Sequence, residues 1–120
     1  MLGNKYTIPF HFHGTLSANG AGRFSVPRTT VLEGIQFSCA GATAATLDFG
    51  PASNADGLFD GVAVGQSGAV TRHDKASANG ALYTDAANVE EIVLVPGTVY
   101  LFTVIHASAV GATVVFELRE

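Results

Sequence analysis

The sequence predicts an all-β fold, a single-domain antiparallel β-sandwich of about eight strands. Three observations carry this reading. Apolar residues recur with period two, the mark of strands with one buried face. Turn-forming residues punctuate the chain at intervals of roughly 8 to 12 residues. No stripe of apolar residues follows the helical period. A chain of 120 residues suits one core, because a second would be too small to stand unaided, so residues 1–120 are expected to form one domain. Hydrophobic residues make up 48% and charged residues 13%, the latter about half the share of an average globular chain. With 8 Phe, 3 Tyr and a net charge of −4, disorder is excluded, since disordered chains carry high charge and few aromatics.

The elements follow in order. Over Tyr6–His13 the even positions are Tyr6, Ile8, Phe10 and Phe12 and the odd ones Thr7, Pro9, His11 and His13, which makes an amphipathic strand. Pro9 lacks an N–H donor and places this strand at a sheet edge. Asn19-Gly20 is a hairpin signal, because both residues tolerate positive φ, and Arg23–Val26 reads as a short strand ended by Pro27. Thr30–Ala40 alternates over a long strand that Gly34 is expected to kink or bulge, and Thr46–Phe49 repeats the alternation. Gly50–Asp60 reads as a loop, and Gly61–Asp74 holds one or two short strands around Val62, Val64 and Val70. Val89–Val95 and Val99–His106 form a hairpin across Pro96-Gly97, a pair suited to the centre of a type II turn. Ala112–Leu118 is the last strand. The expected core comprises Ile8, Phe10, Phe12, Ile35, Phe37, Leu47, Val104, Phe116 and Leu118. Ser17-Ala18-Asn19-Gly20-Ala21 recurs as Ser77-Ala78-Asn79-Gly80-Ala81, a repetition that turn chemistry alone can produce.

Composition limits the partners. Six Lys and Arg spread singly along a chain of pI 5.4 give no footprint for nucleic acid. No apolar run approaches the roughly 20 residues needed to span a bilayer, and Met1–Tyr6 has no hydrophobic signal core, so neither a membrane nor export is expected. The single cysteine, Cys39, excludes an internal disulfide and reads as a small buried hydrophobe.

The candidate sites are incomplete. His11 and His13, at i and i+2 on a strand, project from one face and could share a metal. A cupin would add a glutamate within a few residues, which Gly14–Gly22 does not supply, and a third histidine, for which His73 and His106 are candidates. The His11-Phe12-His13-Gly14 run also looks like the copper-binding segment of multicopper oxidases, whose further histidine and cysteine ligands are missing. Asn54–Gly61 has oxygen donors without the spacing of a calcium loop, and Asx turns account for it better. Gly61–Gly68 lacks the lysine and the helix of a phosphate loop. Ser67 lacks the second glycine of a nucleophile elbow, and Glu90 and Glu91, as strand neighbours, point to opposite faces. No catalytic residue, metal or cofactor is assigned. The polar edge face of Thr7, His11 and His13 is the expected interface.

Ile8–Leu16, the Pro27 preceding Val31–Phe37, and Leu94–Val104 across Pro96-Gly97 together resemble the small jelly-roll sandwiches that tailed bacteriophages use as capsid decoration (cement) proteins or head-fibre tips. The resemblance implies a jelly-roll order of strands and a non-enzymatic role on the virion. It implies the major capsid protein as partner, a closed homo-oligomer with a trimer as the expected order, and synthesis in the host cytoplasm without secretion. Two other classes compete. A carbohydrate- or receptor-binding module would want exposed aromatics, and this chain has no Trp and only Tyr6, Tyr83 and Tyr100. A cupin-like metal-binding protein would need His11 and His13 to find their third ligand.

Overall fold

The computed structural model describes residues 4–41, 45–63, 69–82 and 91–120. Nine strands occur among them: β1 (Lys5–His11), β2 (Gly20–Phe24), β3 (Thr30–Ser38), β4 (Thr46–Pro51), β5 (Phe59–Ala63), β6 (Thr71–His73), β7 (Ile92–Leu94), β8 (Tyr100–Ile105) and β9 (Thr113–Arg119). The one helical element among the described residues is a 3-10 turn at Lys75–Ser77, capped by the Asp74 carboxylate accepting from the Ala76 N–H. One sheet runs β1-β9-β3, with β6 and β7 end to end along the far edge of β3; the other runs β2-β8-β4-β5. All pairs are antiparallel. This order is the jelly roll, two Greek keys folded into facing sheets, with its sixth strand divided into β6 and β7. That division explains nine strands where about eight were expected.

The jelly roll corrects two hairpins. Gly97 does turn the chain with φ +84°, as a type II turn requires, but β7 pairs with β3 and β8 with β2 and β4. The turn therefore carries the chain from one sheet to the other. Likewise Gly20 opens β2 rather than turning β1 back on itself, and the Asn19 Oδ1 accepts the His106 N–H at 3.1 Å. Among the described residues only β4 and β5 form a true hairpin of consecutive strands. The loop expected from Gly50 is shorter, since β4 runs to Pro51 and β5 begins at Phe59.

β3 bears out the expected bulge. Its register with β9 shifts between Leu32 and Gly34, and the extra residue, Glu33, reverses the parity of the strand. Thr30 and Leu32 therefore join Ile35, Phe37 and Cys39 inside, where strict alternation would have put Val31 with them. The core fills with aromatic rings: Phe37, Phe49, Phe59, Phe102 and Phe116 are fully buried, and Phe49 and Phe102 lie 5.0 and 5.4 Å from Phe116. Six of the nine expected core residues are buried, while Ile8, Phe10 and Phe12 pack against the core only partly covered. β1 is an edge strand, as Pro9 indicated, and an edge strand has a neighbour on one side only. Val70 precedes β6 and is exposed. Val64, Ser67, Tyr83, Val89 and Glu90 lie outside the described residues.

Candidate interaction surface

Thr7 and His11 point outward from β1, and His13 follows just beyond it, all three exposed. The His11 Nδ1 is 2.8 Å from the Thr113 Oγ1 on β9, and the two imidazoles stand 6.1 Å apart, edge to face. The third histidines of the cupin alternative are elsewhere. His73 lies on β6, at the opposite edge of the sheet, where its Nε2 bonds the Ala63 carbonyl of the facing sheet. The His106 Nδ1 accepts the Ser108 N–H at 3.3 Å. Among the described residues no group of three His, Cys, Asp or Glu side chains is placed to hold a metal ion. Cys39 is buried, with its Sγ 3.5 Å from the Gly41 carbonyl.

The same outer face holds a charge network that sequence reading did not find. The Arg72 guanidinium grips Glu117 with two bonds, Nε to Oε2 at 2.8 Å and Nη2 to Oε1 at 3.2 Å, and Nη2 also donates to the Glu33 carbonyl at 3.1 Å. That carbonyl lies at the bulge, in the gap between β6 and β7, so the guanidinium supplies a donor where the divided strand supplies none. It lies flat over Gly34, where a Cβ would come within 2.6 Å of Nη2. Gln36 donates a third bond to Glu117 at 3.0 Å. The Arg72 hydrogen bond holds the Glu117 carboxyl below the usual carboxylate range against the opposing effect of burial, and Gln36 assists. Around this centre Glu33 sits 3.7 Å from both Lys5 and Arg119, and Arg119 reaches Glu91 at 2.8 Å. A groove of about 560 Å³ runs between Lys5, Thr7, Glu33, Arg72 and Glu117. These partners stand as far apart in the chain as Glu33 and Arg119; the polar phase of β3 and β9 was the one sequence signal for them.

The outer face of the four-stranded sheet differs. Its centre carries Leu101, Thr103 and Ile105 of β8, half-buried and uncharged. Arg23 stands on β2 at one edge, and Asp48 and Asp60 stand towards the other. Burial pushes the Asp48 carboxyl above the usual range, opposed by the Gly61 N–H at 2.6 Å and reinforced by Asp60 and Asp56.

Neither of the two described tyrosines, Tyr6 and Tyr100, presents an exposed hydroxyl-bearing ring edge. Tyr100 is buried with its hydroxyl accepting the Val95 N–H at 2.9 Å, and the Tyr6 Oη is buried as well.

These features define a small jelly-roll sandwich with two contrasting outer faces. No family model and no curated protein sequence matches the chain. Among solved structures it is similar in fold to a chain described as "Cyanophage Pam1 capsid asymmetric unit". The TM-score is 0.54 at 16% identity, covering 98% of this chain and 86% of that one. At this identity the likeness establishes the fold, and it does so over nearly the whole of both chains.

Proposed function

We propose that this chain is a non-enzymatic structural protein of a phage virion, a decoration or cement protein that binds the outer surface of a capsid and stabilises it. The observation that carries the reading is the near end-to-end fold likeness to a chain from a cyanophage capsid. The partner is the major capsid protein, met on the shell after synthesis in the host cytoplasm, and the chain acts as a closed homo-oligomer. The polar face bearing Thr7, His11 and His13 is the surface turned towards the shell. A ligand that binds only the assembled state stabilises it by mass action, and a weak contact repeated over a lattice gains strength through effective concentration.

Co-sedimentation with undecorated shells, followed by their thermal disruption, tests this. Bound protein should raise the disruption temperature at saturation, and replacing Thr7, His11 and His13 together by alanine should weaken binding. Absence of binding, or binding without a temperature shift, counts against a cement role.

A further inference from the structure

We propose that a second copy of this chain seats on the outer face of the four-stranded sheet, the two copies being related by a two-fold axis parallel to the strands. The inference deepens the oligomeric reading above and rests on it for its setting. Its basis is a contrast in charge. Every ion pair found among the described residues lies on or beside the five-stranded sheet. On the four-stranded sheet Arg23 is exposed and has no ion-pair partner among the described residues. Asp48 and Asp60 lie at the other side of the same face and repel one another. Between them runs the uncharged row Leu101, Thr103 and Ile105 on the central strand β8.

Such a face complements itself. Rotation about an axis along the strands places the β2 edge of one copy over the β4–β5 edge of the other. Each Arg23 then meets the Asp48 and Asp60 of its neighbour, twice per pair, as an isologous interface requires. The uncharged rows of β8 stack at the centre, where charge would be costly to bury. A shallow depression of about 130 Å³ beside Arg23, lined by Ala21, Leu101 and Thr103, gives room for a facing side chain. With strands about 4.8 Å apart and rising about 3.4 Å per residue, the face measures roughly 19 by 17 Å. That is well under the roughly 800 Å² per partner of a standard interface. The pair is therefore weak in solution and strengthens when copies are held close on a lattice. It also leaves the polar face of the five-stranded sheet open, and it gives a pair in place of the expected trimer.

Sedimentation equilibrium of the full chain decides this. The apparent mass should rise from 12.3 kDa towards twice that value, with a dissociation constant on the order of 100 μM, and salt should weaken the pair. Arg23→Asp and Asp60→Arg should each weaken it about tenfold or more, with unchanged circular dichroism. The double variant should recover to within about threefold of the original. A monomer at about 1 mM, a trimer, indifference to either single reversal, or failure of the double variant to recover would each overturn the pairing. Shell co-sedimentation is read separately, well below the dimer constant: shells bound by the charge-reversed monomer sustain the capsid reading without the pair, and a pair that ignores shells does the reverse.

Discussion

The two flanks of the sandwich, where the edges of the facing sheets meet, are closed by different means. At the β5/β6 flank the Asn79 side chain pairs with the backbone of Asp60 on both sides, Oδ1 accepting its N–H at 2.7 Å and Nδ2 donating to its carbonyl at 2.9 Å. The Gly80 N–H donates to the Leu58 carbonyl, and His73 ties β6 to Ala63. Phe59 and Val62 behind this strap are buried. At the β1/β2 flank nothing comparable lies across the gap among the described residues. Tyr6, Ile8, Phe10, Phe12 and Phe24 point inward there and remain half-buried. The amphipathic pattern of β1 is as regular as that of β9, yet β9 is buried on its inner side and β1 is not. Burial is set by how many neighbours an element acquires, and alternation in sequence says only which side will face them.

Core truncation should show this contrast most strongly. Phe116→Ala should cost about 3 to 5 kcal/mol in denaturant unfolding, the range for a fully buried aromatic, whereas Phe10→Ala on the open flank should cost about half as much. Equal losses would show the open flank to be covered in solution.

A smaller effect separates the two Asn-Gly pairs. A methyl group on Gly80 would collide with the backbone of Gly57, whereas one on Gly20 would meet the Phe12 ring at 2.8 Å, and a partly exposed ring can shift. Gly80→Ala should therefore destabilise by about 2 to 3 kcal/mol and Gly20→Ala by about 1 kcal/mol. Thermal unfolding of the two variants side by side would reverse this ranking only if the flanks were wrongly distinguished.

The Tyr6 Oη is the one buried side-chain polar atom found without a hydrogen-bond partner among the described residues. Tyr6→Phe keeps the shape and removes the orphaned hydroxyl, so it should be neutral or stabilising by about 1 kcal/mol. A loss of stability would mean that an ordered water or a partner satisfies the hydroxyl.

Two carboxylates, one on each sheet, should titrate with opposite sign. Glu117, beside the open flank, is held below its ordinary value, so its contribution is complete at neutral pH and fades as pH falls through its folded value. Asp48, beside the closed flank, is raised above its ordinary value, so its ionised form opposes folding at neutral pH and the penalty fades as pH falls. Glu117→Gln should thus be less stable than the parent at pH 7 with the gap narrowing below about pH 4. Asp48→Asn should be more stable at pH 7 and converge with the parent above that window, as pH falls from the raised Asp48 value to the ordinary value of 3.8.

The repeated Ser-Ala-Asn-Gly-Ala segment bears on what the sequence carried. Both asparagines accept a backbone N–H from the four-stranded sheet, Asn19 from His106 and Asn79 from Asp60, so the two copies share a task. The sequence showed them as turn formers but not where they would dock. The outward placement of Thr7, His11 and His13 was legible because it is local to one amphipathic strand. Arg72, Glu117, Glu33 and Arg23 were not, since each charge gains its meaning from strands far along the chain.

Period two in the apolar residues, Pro9 on an edge, the bulge near Gly34, the turn at Pro96-Gly97 and the inward side of Phe37, Leu47, Val104 and Phe116 were all determined by the sequence alone, because each depends on backbone conformation within a few residues. The tertiary structure decided which strands pair. Adjacent strands in a jelly roll mostly lie in different sheets, so a turn signal between them does not say that they are neighbours. It also decided parity beyond the bulge, because one inserted residue turns the preceding stretch of β3 over. And it decided which inward side chains are sealed, since sealing depends on Asn79 and Gly80 reaching Asp60 and Leu58 from some 20 positions away, a closure that no local pattern encodes.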